Sequence, residues 1–328
     1  MKPTDNLARD TEAVADALAA MIKRELTTCC NGYLDPSDTT TITADDRMAL
    51  VDWCYDVVDH CQFSRQTVAS AMEMVDRFLS MPSNSAESAR VSDEALRDQA
   101  KFQLLTIAAL YSSIKVNEKI AISSYVYSEM CSRAYTAEEI EYMERTLLSG
   151  LSWRCHAPAP TAHQIGLLIL SLLLPNVNIP EVTWGFLIDE MKYWTELAVR
   201  DYYFAFERTS TIALAAVLNA IIDTGTKEHQ ELLGAFLRVI MECFEFDHSK
   251  HIAAARTKLQ YLATPDMLLQ EDDVVAKSLD KSEQTFKISN SSSSPKRCLE
   301  GHFRYEKDEL GYEHVVVSPS SLLCGDFS

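Results

Sequence analysis

Residues 102–114 read FQLLTIAALYSSI, and residues 209–222 read TSTIALAAVLNAII. Both are apolar or small on almost every side. A helix without a polar face has to be surrounded by other helices, so each stretch is expected to be the central rod of a bundle. The two rods lie roughly 100 residues apart, and the chain around each follows the same plan.

Upstream of the first rod, Leu50, Trp53, Cys54, Val57, Val58 and Cys61 keep the spacing of one buried helix face. Val68, Met72, Val75 and Leu79 repeat it, and the polar, Pro-containing stretch MPSNS at 81–85 breaks that helix. Downstream, a short helix is expected over 122–131. Another starts near Thr136, where Thr136 and Glu139 have capping-box spacing, and it runs to Gly150. The Pro-rich stretch HAPAPT, residues 156–161, closes the unit. Helices over about 161–174, 181–199, 229–243 and 249–263 surround the second rod. The expected fold is all-α, built from two tandem five-helix domains. The division is an N-terminal helix and linker over 1–43, a first box over 44–158, a second over 159–264, and a disordered Ser-rich, acidic tail over 265–328.

The 328 residues are 47% hydrophobic, enough for a sizeable core in two domains. A net charge of −18 argues against nucleic acid as a partner, because phosphate binding needs a basic surface. Nine cysteines at irregular spacings, without a C-x-x-C pair, suit free thiols in a reducing compartment. The N-terminus shows no secretory h-region, and the longest apolar run, 165–174, falls well short of the ~20 residues a bilayer span needs. A soluble, intracellular chain without a membrane partner is expected. His248 and His251 could share a metal, but no third ligand is apparent, and no Gly-rich phosphate loop is present. No metal, cofactor or catalytic residue is therefore expected.

Four charges break the apolar pattern. Glu144 sits on the stripe of Ile140, Met143, Leu147 and Leu151, where a carboxylate is costly unless it reaches solvent, an internal base or a partner. Lys115 closes the first rod, where a cation suits the helix dipole. Periodicity leaves open whether these two are neighbours. Arg47 and Asp76 also lie in core helices, and an internal ion pair between them is expected.

These residues carry a family resemblance. The stretch RMALVDW at 47–53 resembles the opening of the first helix of the cyclin box. DRFLS at 76–80 and QLL at 103–105, followed by SIKVNE at 113–118, are similar to further cyclin motifs in order. So are YTAEEI at 135–140, Met143 with Glu144, LSW at 151–153, and Pro160 with Thr161. The resemblance covers about residues 15–158 well and 159–264 more loosely. It implies a non-catalytic subunit that binds and activates a cyclin-dependent protein kinase to drive cell-cycle progression, in nucleus and cytoplasm. It assigns kinase binding to Lys115, Glu144 and Glu118, and an internal ion pair to Arg47 and Asp76. It also implies a docking groove for kinase substrates or inhibitors at Leu50, Trp53, Asp56 and Gln103. Asp46 and Ala49 stand where larger apolar residues line that groove in the family, so a shallower groove is expected. Ser294, in SPKR, fits the phosphorylation preference of cyclin-dependent kinases. A transcription-type cyclin and a helical scaffold without kinase activation stay open as alternatives.

Overall fold

The structure, a computed structural model, describes residues 3–26, 30, 32–34, 40–80, 85–120, 122–153, 160–173, 177, 179–225, 229–244, 249–263, 303–307 and 313–317. The first repeat holds α2 (Ala44–His60), α3 (Gln66–Ser80), α4 (Ala86–Arg97), α5 (Gln99–Asn117), α6 (Ser124–Met130) and α7 (Ala137–Gly150). The second holds α8 (Ala162–Leu173), α9 (Glu181–Arg200), a short 3-10 turn (Tyr202–Ala205), α10 (Thr209–Asp223), α11 (His229–Cys243) and α12 (Ser249–Ala263). A helix α1 (Pro3–Glu25) precedes both.

The two rods are where their composition puts them. Helix α5 is buried from Phe102 to Ile114 except at Gln103, and it packs on α2, α3, α4 and α7. Helix α10 is buried over most of its length against α8, α9, α11 and α12. One apolar cluster forms around each rod. Local signals set the helix starts. At α7, Thr136 and Glu139 form the expected capping box. At α2, Thr43 Oγ1 accepts the Asp46 N–H at 3.2 Å, and the Asp46 carboxylate accepts the Thr43 N–H at 2.8 Å. Close packing is also local: a Cβ on Gly150 would stand 2.5 Å from the Phe78 ring, so a side chain there would push α7 off α3.

Among the described residues the first repeat carries one helix more than the five expected. Helix α4 buries only Ser88, Val91 and Ala95, with Leu96 packed half-buried against the core, too few apolar side chains to show as a stripe. Ser85 caps it by accepting the Ser88 N–H at 3.1 Å, and it packs on α3, α5 and α7. Of the tail, the described residues are 303–307 and 313–317. Strands β1 (Phe303–Lys307) and β2 (Glu313–Val317) pair antiparallel, with Phe303 opposite Val317, and β2 lies against α6. The β-branched run VVV at 315–317 explains the strand preference.

Helix α1 belongs to the second repeat. Leu18 is buried in that cluster, and the Glu25 carboxylate accepts the Ser210 N–H at 2.8 Å and its hydroxyl at 2.6 Å, capping the start of α10. Side chains also tie the repeats to each other. Arg200 of α9 makes a two-pronged bond to Asp52 of α2, at 2.6 and 2.7 Å. Arg65 Nε lies 3.3 Å from Glu196. The Tyr202 hydroxyl accepts the N–H groups of Tyr33 and Leu34, at 2.8 and 2.7 Å. No described helix is long and apolar enough to cross a membrane. Among the described residues Cys30, Cys54, Cys61, Cys131 and Cys243 are reduced thiols outside any disulfide; burial pushes the Cys30 thiol up to about 11 and Cys61 to about 12.

His163, in the first turn of α8, gives the junction a pH dependence. Burial, helped by the Lys192 charge, lowers its pKa from 6.5 to about 4. The unfolded chain therefore binds a proton there that the folded chain refuses. The stability contribution is complete above about pH 6.5 and is lost as pH falls toward 4. A His163→Gln chain should lose less melting temperature between pH 7 and pH 5 than the wild type loses. Equal losses in the two chains would refute this.

Candidate functional site

Lys115 stands in the last turn of α5, and Glu144 stands midway along α7. The packing of α5 on α7 makes neighbours of residues 29 positions apart. Lys115 Nζ is 2.6 Å from each carboxylate oxygen of Glu144. The Ser112 hydroxyl donates to the same carboxylate at 2.7 Å. Glu144 is nearly buried, its side chain 9% exposed, whereas the Lys115 side chain is 39% exposed. The ammonium also lies 4.2 Å from the centre of the Tyr111 ring, within cation–π range. Burial, then the charges of Glu144 and Glu141, raise the pKa of the Tyr111 phenol. The acid that broke the apolar stripe is thus satisfied inside the chain, and its base faces outward with one ammonium N–H to spare.

Glu118 is placed apart from this pair. Its carboxylate turns onto α3, accepting the Ser64 N–H at 3.0 Å and the Thr67 hydroxyl. It acts as a cap and as a negative charge at a helix N-terminus. A Glu118→Gln chain should lose about 1 kcal/mol, read as a lower urea midpoint at unchanged slope.

Arg47 and Asp76 form the expected internal pair. Arg47 Nε and Nη2 bond Asp76 at 3.0 and 2.7 Å, with the two residues 2% and 5% exposed. Two further partners complete the network. The Tyr33 hydroxyl donates to Asp76 at 2.6 Å, and Arg47 Nη1 donates to the Val199 carbonyl of α9 at 2.8 Å. Burial works against the Arg47 charge, but Asp76 and Tyr33 more than offset it, so its pKa lies above the ordinary range. Burial, then Asp76, holds the Tyr33 phenol protonated. The pair joins the helices of the first repeat and also pins that repeat to the second.

The expected groove residues lie on two packed helices. Leu50 is buried, Trp53 is half-buried on the core, and Asp56 is exposed, all on α2. Gln103 of α5 is half-buried and accepts the Tyr135 hydroxyl at 3.0 Å. Burial, then Asp52 and Asp59, raises the pKa of Asp56. Asp46 serves the fold locally: besides capping α2, it accepts the Gln99 amide at 2.9 Å, tying the starts of α2 and α5. Ser294 and His248 lie outside the described residues. Among the described residues, no three His, Cys, Asp or Glu side chains gather in a way that could hold a metal ion.

Sequence reasoning missed Tyr33, Tyr202, Ser112 and Tyr111. Tyr33 left one signal, as an aromatic in an otherwise polar connecting stretch. Ser112 and Tyr111 left another, as polar atoms in the middle of an apolar rod.

Two helical repeats, each wrapped on a buried rod, with a charged pair where α5 meets α7, define a duplicated helical-box protein. Residues 16–156 match the family model described as Cyclin, N-terminal domain. The chain is similar to Cyclin-A2-1 of Oryza sativa subsp. japonica, 26% identical over 179 residues, covering 55% of this chain and 33% of that protein. It is similar to G2/mitotic-specific cyclin-B3 of Gallus gallus, 25% identical over 182 residues, covering 55% and 39%. Against G2/mitotic-specific cyclin-B of Arbacia punctulata, identity is 30% over 128 residues, covering 38% and 27%. The matches thus span well under half the length of these relatives. Among solved structures, a viral cyclin from herpesvirus saimiri shares the fold with a TM-score of 0.55, at 15% identity, covering 75% of this chain and 97% of that one. Residues 16–156 therefore carry a match to a cyclin N-terminal domain, and the chain is similar to cyclins over about half of its length.

Proposed function

We propose that this chain binds and activates a cyclin-dependent protein kinase as its regulatory, non-catalytic subunit, in control of the cell cycle. The observation that carries the reading is the Lys115–Glu144 pair, within the segment that matches the cyclin N-terminal domain. An exposed ammonium backed by a nearly buried carboxylate offers directed, charge-assisted hydrogen bonds to the loop before the kinase's regulatory helix. The chain then acts by position. It holds that helix inward, so that the kinase's own Lys–Glu pair aligns ATP and its activation loop rearranges. The groove at Leu50, Trp53, Asp56 and Gln103 takes substrate or inhibitor peptides, and Ser294 takes phosphate from the kinase. The complex works in nucleus and cytoplasm.

The test is to purify the chain with each cyclin-dependent kinase of its own cell, measuring binding and phosphorylation of a histone-type peptide. Binding with a large rise in peptide phosphorylation is expected from at least one kinase. Binding without activation would leave a scaffold, and binding to none would remove the proposal.

A further inference from the structure

Tyr111 and Ser112 precede Lys115 by four and three residues, the spacing that puts side chains on one helix face. Both are polar where the surrounding rod is apolar, and each contacts one member of the pair. Ser112, 2% exposed, donates its single hydroxyl proton to Glu144 Oε1 at 2.7 Å. The Tyr111 ring lies 4.2 Å beneath the Lys115 ammonium and stacks on Tyr127 at 5.0 Å, with the ring planes 26° apart. Tyr127 is itself anchored, its hydroxyl donating to the Ile107 carbonyl at 3.0 Å. An alanine in place of Ser112 and a leucine in place of Tyr111 would keep the rod apolar without these polar atoms. What Ser and Tyr add is a fixed donor to the carboxylate and a π face under the cation.

We infer that Tyr111 and Ser112 are positioning residues for kinase binding, holding the Lys115–Glu144 pair in its binding geometry before the kinase arrives. The inference rests on the kinase-binding reading above. A lysine side chain has several freely rotating bonds, and ordering it on association costs affinity. The Tyr111 ring and the Ser112-fixed carboxylate meet that cost during folding. The pair is therefore stiff in the free chain, and the kinase does not have to order it.

The experiment compares the full-length chain with Ser112→Ala, Ser112→Thr, Tyr111→Leu and Tyr111→Phe. Affinity for the partner kinase is measured by calorimetry, and activation is titrated against chain concentration. Ser112→Ala and Tyr111→Leu are each expected to weaken binding about 5- to 10-fold. Ser112→Thr keeps a hydroxyl and Tyr111→Phe keeps a ring, and both should stay within about 2-fold of wild type. The plateau of kinase activity at saturating chain should be unchanged in all four, since only the half-saturating concentration moves. A merely structural role would instead lower the calorimetric stoichiometry by removing folded chain, while the affinity of the chain that still folds stays at the wild-type value. The inference is overturned if Ser112→Ala and Tyr111→Leu bind as wild type does while Lys115→Ala does not. It is equally overturned if the Thr and Phe variants fail to restore affinity, or if the plateau falls. A wild-type chain that binds no kinase would instead sink the functional reading, and this inference with it.

Discussion

A chain carrying Lys115→Ala and Glu144→Ala together should fold as the wild type folds and bind its kinase at least ~100-fold more weakly, from two lost charge-assisted bonds of ~1.5 kcal/mol or more each. The double change is the informative one because the two groups are unequal. Glu144 is nearly buried and Lys115 is 39% exposed. Removing Lys115 alone leaves the carboxylate with only Ser112 as a donor in a dry site, which costs stability of about 1–3 kcal/mol besides any lost contact with the kinase. Removing both takes the buried charge away with its partner, so folding is spared and binding alone reports. Kinase affinity and peptide phosphorylation, measured beside a thermal melt, separate the two effects. Wild-type affinity in the double variant would show that the pair is structural and that the kinase meets another surface.

Asp76→Ala should destabilise the chain by about 3–5 kcal/mol, the range for stranding one member of a buried ion pair. That is a large part of the ~5–15 kcal/mol that holds an ordinary domain together. The loss comes from two groups. Arg47 keeps its charge at 2% exposure with the Val199 carbonyl and the neutral Tyr33 phenol left from its network, and the Tyr33 hydroxyl loses its acceptor. Because Arg47 also reaches α9 and Tyr33 is held by Tyr202, the damage should extend to the junction. Urea unfolding should therefore show a lower midpoint, and proteolysis should cut sooner near residues 32–34. Arg47→Lys should cost nearly as much as Asp76→Ala, because an ammonium cannot supply the fork that bonds both carboxylate oxygens and the Val199 carbonyl. A loss below about 1 kcal/mol in Asp76→Ala would mean that the buried network relaxes without cost.

How legible each feature was depends on how far apart its residues lie along the chain. The two rods could be read directly, since a helix apolar on all sides is a property of consecutive residues. The capping box at Thr136 and Glu139 was legible for the same reason, its partners being three residues apart. Helix α4 was not, because so few inward apolar residues leave no stripe. Nor was the strand pair in the tail, where five-residue runs sit among turn-forming residues.

For the site, sequence named the charges that do not belong on apolar faces, and the resemblance gave them roles. Only tertiary packing decided how they are partnered. Lys115 meets Glu144 across 29 residues, and Arg47 meets Asp76 across another 29. Glu25 caps a helix 185 residues away, and Tyr33 is held by a hydroxyl 169 residues on. Periodicity shows which face of a helix is buried and carries no information about which distant face covers it. The same limit explains Glu118, which shares a helix end with Lys115 yet turns onto α3. The chain's own pattern settled that it is helical, duplicated and built on two rods. Packing of α5 on α7 and of α2 on α9 decided that its misplaced charges are two networks, one with its lysine at the surface and one closed in the junction.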